Sequence, residues 1–261
     1  MTDALAAPLP PRPRRLRVLA ALCLRETAAR FGAARGGILW AFAEPAGGIA
    51  ALSLAFGLIV RAPPAGDSFA FFYATGLLPF LMVTTLAGAG MAAMQQNAGL
   101  SVFPVVRPLD AVLARLVLDA LVLAGVAAGV FAGLLALVGP QGPVDPGLFL
   151  ASLGLAAALG AGLGLANAAI ADAAPVWRHV WSVVTRPLFL VSGILFSIDS
   201  MPQDLRLAFW LNPLTHPVGL MRAAFYGVDE AGAVSLTYAG GIALALCTLG
   251  AAAVRRRGGR R

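Results

Sequence analysis

Six apolar stretches, at about residues 37–60, 69–94, 108–138, 147–170, 176–198 and 234–254, are each long enough to cross a bilayer, because a membrane helix needs about 20 apolar residues. Hydrocarbon offers backbone amides no water, so a segment of this kind must satisfy its own hydrogen bonds as a helix. The chain is therefore expected to be an all-α polytopic membrane protein. Only 12% of its residues are charged and 59% are hydrophobic, against about 25% charged in a soluble domain. Away from the ends that composition also excludes disorder.

Orientation follows from the arginines. All nineteen basic residues are Arg. Seven precede the first stretch, at 12, 14, 15, 17, 25, 30 and 35. Arg107, Arg115, Arg178, Arg186 and five in the tail (255, 256, 257, 260 and 261) bring that side to sixteen, leaving Arg61, Arg206 and Arg222 on the other. An even number of spans with this bias places both termini in the cytoplasm. The net charge of +7 is thus a membrane-edge feature, with no soluble patch for nucleic acid. A Walker A loop needs a Lys on the nucleotide phosphates, so a chain without Lys is expected to carry no such ATP site. Cys23 and Cys247 form neither a disulfide framework nor a metal cluster.

Four regions are expected: a disordered Pro- and Arg-rich leader at 1–13, a cytoplasmic interfacial helix at 14–36, the membrane domain at 37–254 and a basic tail at 255–261. In the second region Leu16, Leu19, Cys23 and Phe31 share a helical face, with Arg14, Arg17 and Arg25 roughly opposite. Residues 199–233 are too apolar for a solvated loop, yet Pro213 and Pro217 cut them into pieces too short to span. A re-entrant outer segment is expected there, and with it an outer gate. Gly125, Gly129 and Gly133, and Gly160 with Gly164, have the spacing that lets helix backbones approach closely.

Catalytic sets are missing from the sequence, and His179 and His216 are expected on opposite faces of the membrane. Neither an enzyme nor a metal site is expected. What remains is charge at depth. Arg115 and Asp119, four apart, can pair on one helix face. Arg186, followed by Pro187, lies well inside the fifth stretch and must face protein or water; it lines the path of an anionic substrate, snorkels, or is paired in the bundle. Glu44, between Trp40 and Pro45, suits a salt bridge with an N-terminal Arg. Aromatic residues gather at Phe69, Phe71, Phe72, Tyr73 and Phe80 and at Phe209, Trp210, Phe225 and Tyr226, as an interface belt or as a surface on which sugar rings slide.

An ordered set of short motifs resembles the membrane subunit of type-2 ABC exporters, in particular the short permeases that export capsular polysaccharide. The set runs Arg30-Phe31, Arg35-Gly36-Gly37, Leu39-Trp40, Glu44-Pro45 and Gly76-Leu77-Leu78-Pro79-Phe80. It continues with Asn97, Leu100 and Val102 to Asp110, then Arg186-Pro187, Ser192-Gly193-Ile194, Met201-Pro202, Asn212-Pro213-Leu214 and Arg222. Ala34-Arg35-Gly36 departs from the family's usual Ser-Arg-Leu.

That resemblance implies a dimer of six-helix subunits with a separate ABC ATP-binding subunit, in two copies, on the cytoplasmic face of the bacterial inner membrane. ATP and Mg would bind that partner, with no cofactor on this chain. Gln96, Asn97, Phe103, Pro104, Arg107 and Pro108 would form the coupling turn, about 95–108. Arg30, Phe31, Arg35 and Glu44 would form the N-terminal interface, and Phe72, Tyr73, Arg186, Trp210, Phe225 and Tyr226 the translocation path or gate. A lipid-linked glycan would be the substrate, with periplasmic and outer-membrane export proteins as further partners. Alternatives are a permease for O-antigen, teichoic acid, a lipid or a drug, and a non-transporting membrane scaffold.

Overall fold

The computed structural model describes residues 11–31, 37–96, 107–197, 202–227 and 234–258, which form nine helices and, among those residues, no strand. Five of the helices are long and apolar enough to cross a membrane: α2 (Gly37–Gly57), α3 (Phe69–Gln96), α4 (Pro108–Val138), α5 (Pro146–Ala173) and α9 (Leu236–Gly258). α1 (Pro11–Phe31) precedes them. It starts with prolines at 11 and 13, in a first turn whose N–H groups lack intrahelical partners in any case.

α3 is the central post. Phe71, Phe72, Leu86 and Ala87 on it are fully buried, and α2, α4, α5 and the short helices at 177–191 and 215–226 pack around it. α5 lies between α3 and α9, and the crossings work because small residues remove bulk where backbones meet. A Cβ on Gly90 would collide with the Gly164 backbone, and one on Gly160 would sit 2.9 Å from Val83 Cα. On the other face of α5 a Cβ on Gly162 would meet Leu246 Cβ at 2.7 Å. In α4, Gly129 accommodates the Phe42 ring, while Gly125 and Gly133 face open space. The α5 glycines therefore serve packing within one chain.

Helix ends follow local chemistry. α5 begins where the Asp145 carboxylate accepts from the N–H groups of Gly147 and Leu148 at 2.7 and 3.1 Å, with Pro146 as its first residue. Pro108 opens α4 and Asp110 lies in its first turn, where a carboxylate meets the positive end of the helix dipole.

The fifth apolar stretch differs from a simple span. α6 (Trp177–Val191) has 15 residues, about 22 Å of helix, and the chain then turns through Ser192-Gly193, with Gly193 at φ 73°. The apolar residues beyond Val191 are not helical. After that turn come α7 (Gln203–Leu211) and α8 (Thr215–Tyr226). α8 is buried from Thr215 to Phe225 against α3 and α5. It is held by the Ser152 hydroxyl, which donates to Pro217 O at 2.6 Å, and by the Asp145 N–H, which donates to Ala224 O at 2.8 Å.

The close crossing gives a matched test. Gly90→Ala should destabilise the detergent-solubilised protein by about 1–3 kcal/mol, the usual range for overpacking. Gly88→Ala, two residues away where a Cβ meets nothing within 4 Å, should leave the thermal unfolding midpoint nearly unchanged.

Candidate functional site

The arginine-rich end of the bundle is tied together by one guanidinium. α1 lies against α4 through Leu22, Cys23 and Glu26, with the Cys23 thiol donating to Ala114 O at 3.6 Å. Arg115 Nε donates to Asp119 Oδ2 at 2.9 Å, and its Nη1 donates to Glu26 Oε2, also at 2.9 Å. Nη1 lies 3.4 Å from Gln96 Oε1 at the end of α3, and Arg25 Nη2 donates to the other Glu26 oxygen at 3.2 Å. Asp119 is 2% exposed and Glu26 7%. Arg115 therefore replaces lost solvation for both carboxylates, with Arg25 sharing that role at Glu26.

The pairing of Arg115 with Asp119 is as its spacing of four implies. The carboxylate of Glu26 was not legible, because its partner lies 89 residues away. The α1 face that meets the protein includes Leu19 and Cys23, as the helical pattern implied, with Leu22 and Glu26 added.

This knot lies at the root of the expected coupling turn. Gln96 ends α3, Arg107 caps α4 and is exposed, and Pro108 is the first residue of α4. Asn97, Phe103 and Pro104 fall outside the described residues, as does Arg35. Arg30 and Phe31 are the last two residues of α1. Glu44 is exposed on α2. Beside the turn, a cavity of about 330 Å³ is lined by Met91, Met94, Gln95, Asp172, Pro175 and Arg178. Its walls are fixed by Asn167, which donates to Ala87 O at 3.3 Å and accepts from Trp177 Nε1 at 3.0 Å, joining α3, α5 and α6.

A second knot lies at the opposite end. Arg222 of α8 is 2% exposed. Its Nη1 donates to Phe196 O at 3.0 Å and its Nη2 to Ile194 O at 3.2 Å, while the guanidinium stands 4.3 Å from the Phe72 ring centroid. These are the carbonyls of the unwound stretch after α6. Asn212 adds a third bond, donating to Val191 O at 3.0 Å, where α6 ends. Gly76 on α3 lets Ile194 approach, since a Cβ there would lie 2.9 Å from Ile194 Cα. A cation that counts only as an outer charge in the sequence is thus the polar filling of an irregular turn.

The expected path aromatics divide in two. Phe72, Tyr73 and Phe225 are enclosed by the chain itself, and Phe225 stacks on Phe131 at 4.3 Å between ring centroids. Trp210 and Tyr226 are half-buried. Trp210 stacks on Tyr238 at 4.9 Å, and both present to the buried imidazole of His216. His216 Nδ1 accepts from the Ser235 N–H at 3.3 Å. Arg186 is exposed on α6.

Among the described residues the chain is a helical bundle with five helices long and apolar enough to cross a membrane, an ionic knot at one end and an irregular turn filled by a buried cation at the other, and its sequence places it more narrowly. Residues 17–226 match the ABC-2 type transporter family, and the chain belongs to that family. It is similar to the polysialic acid transport protein KpsM of Escherichia coli, at 31% identity over 239 residues, covering 91% of this chain and 92% of that protein. The capsule polysaccharide export inner-membrane protein CtrC of Neisseria meningitidis serogroup B is 27% identical, covering 89% of this chain and 86% of its own length. BexB of Haemophilus influenzae, also named a capsule polysaccharide export inner-membrane protein, is 28% identical over 81% of this chain and 80% of its own.

The ionic knot predicts an asymmetry. Arg115→Met alone should lower stability by about 3–5 kcal/mol, because it takes away the cation that both buried carboxylates share. The triple variant Glu26→Leu, Arg115→Met, Asp119→Leu should recover most of that loss. Unfolding of the purified protein in detergent, followed by helical circular dichroism, compares the two.

Proposed function

We propose that this chain is the membrane-spanning permease subunit of an ATP-driven exporter. It moves a lipid-linked, anionic capsular polysaccharide from the cytoplasm outward across the bacterial inner membrane. The observation that carries this reading is similarity along nearly the whole chain to proteins named for polysialic acid transport and capsule polysaccharide export. Two copies of the chain work with two copies of an ABC ATP-binding subunit, which holds ATP and Mg; this chain binds no cofactor. Periplasmic and outer-membrane export proteins receive the glycan.

On this reading both termini are cytoplasmic and the membrane domain crosses six times, with α6 and the turn after it as the fifth crossing and α7–α8 as the re-entrant outer segment. The burial of α8 and the shortness of α6 support that assignment, since irregular backbone at membrane depth survives only when packed in protein.

Coupling enters through Gln96, Asn97, Phe103, Pro104, Arg107 and Pro108. The contact of Arg115 with both Gln96 and Glu26 supports a rigid root for that turn, so a push on it moves α3, α4 and α1 together. Arg30, Phe31, Arg35 and Glu44 lie along the N-terminal interface with the membrane and the ATPase. α3 carries the displacement to Phe72 and Tyr73, beside the Arg222 turn, where Trp210, Phe225 and Tyr226 complete the outer gate. Arg186 supplies positive charge to the anionic glycan.

Deleting the gene from a capsule-producing host should abolish surface glycan and leave lipid-linked glycan inside the cell, and the wild-type chain should restore export. Arg107→Glu combined with Pro104→Ala should cut restored surface glycan at least about tenfold at unchanged protein level, a loss of about 1.4 kcal/mol in coupling. Intact surface glycan in the deletion strain contradicts the transport reading; full restoration by the double variant contradicts the coupling role alone.

A further inference from the structure

α2 and α6 are poorly covered by the rest of the chain. Among the described residues α6 has no buried residue, and α2 buries only Pro45 and Ile49. They flank one side of the central post. Tyr73 of α3 meets Phe56 of α2 at 5.4 Å between ring centroids, and Leu77 lies over Gly48 of α2. Phe80 meets Phe189 of α6 at 5.5 Å, and Gly76 abuts Ile194 just beyond α6. On a helix of 3.6 residues per turn those two pairs of α3 positions are about 60° apart. α2 and α6 therefore occupy neighbouring sectors around α3, and their outward surfaces face the same side of the bundle.

Each helix carries one exposed charge on its apolar length: Glu44 on α2 and Arg186 on α6. Neither has an ion-pair partner among the described residues. Their depths correspond. Both helices start from the arginine-rich end, and each charge lies about one turn beyond a tryptophan of the kind that marks the interface. Trp40, which is 72% exposed, precedes Glu44 by four residues, and Trp181 precedes Arg186 by five. At 1.5 Å per residue these are offsets of about 6 and 7.5 Å. Each charge is also followed by a proline, Pro45 and Pro187. A proline has no N–H to offer the carbonyl four residues back, so Ala41 O and Val183 O add a polar oxygen beside each charge. Two opposite charges and two free carbonyls at one depth are strongly disfavoured against lipid.

We propose that this face is covered by the same face of a second copy, with Glu44 of each copy paired to Arg186 of the other across a two-fold axis along the membrane normal. A self-complementary two-fold interface requires a patch that carries both members of the pair, and the α2–α6 face carries both. The inference rests on the two-copy reading of the transporter and names the residues that join the copies. The interface then lies where the two Arg186 side chains meet the anionic substrate, so separation of the pairs accompanies opening of the inner half of the path.

The test uses two differently tagged full-length copies, both with Cys23→Ala and Cys247→Ala, produced together with the ATP-binding subunit. One copy carries Glu44→Cys and the other Arg186→Cys. Native membranes are treated with a short bismaleimide crosslinker, because an ion pair between two long side chains holds the Cα atoms too far apart for a disulfide. The expected product contains both tags. Absence of that product overturns the proposal. In parallel, Glu44→Arg and Arg186→Glu alone should each reduce export at least about tenfold, as expected when one partner of a desolvated pair is stranded. Together they should recover to within about threefold of wild type. A combined variant no better than either single one counts against the pair. Crosslinking reads proximity and not transport, so the interface can stand or fall independently of the export assay.

Discussion

One guanidinium with two buried carboxylates sets the terms on which the arginine-rich end of this bundle holds together. Arg115 bonds Asp119 on its own helix and Glu26 on α1, each at 2.9 Å, and reaches Gln96 at the end of α3. None of the three charges could be left alone at that burial, because the cost of stranding one is several kcal/mol. α1 is therefore pinned to α4, and the end of α3 reaches the same knot through Gln96.

The opposite end solves a different problem with related chemistry. α6 stops after 15 residues, and the chain must turn within an apolar surrounding where every free carbonyl is costly. Arg222 fills that need with two charge-assisted bonds and a ring contact, and Asn212 closes the end of α6. Between the two knots runs α3, gripped at Gly90 and Gly76 by backbones that leave no room for a side chain. A post packed this tightly at both ends is suited to move as a unit.

The spanning helices were legible because their signal is length and apolarity, which nothing later in the chain can alter. The third stretch was expected at 108–138, the range that α4 occupies. The fifth was not legible to its end, since Ile194, Leu195 and Phe196 are as apolar as a helix requires. Their turn is decided by Gly193, Asn212 and Arg222, up to 28 residues away. The pairing of Arg115 with Asp119 follows from a spacing of four, whereas Glu26 lies 89 residues from Arg115 and no local spacing marks it. The glycine spacing in α5 correctly marked close packing, but the same spacing in α4 left Gly125 and Gly133 in open space. A repeat of small residues reports permission to approach and says nothing of which helix accepts.

On the proposed reading, energy for export arrives from outside the chain, through the segment that joins α3 to α4. The most direct measurement is purification of the tagged protein from native membranes in mild detergent, with mass spectrometric identification and stoichiometry of whatever accompanies it. The prediction is an ATP-binding subunit with a Walker A motif, at two copies to two of this chain, and Arg107→Glu should weaken its retention. A preparation holding this chain alone, from cells that export polysaccharide, would contradict the account.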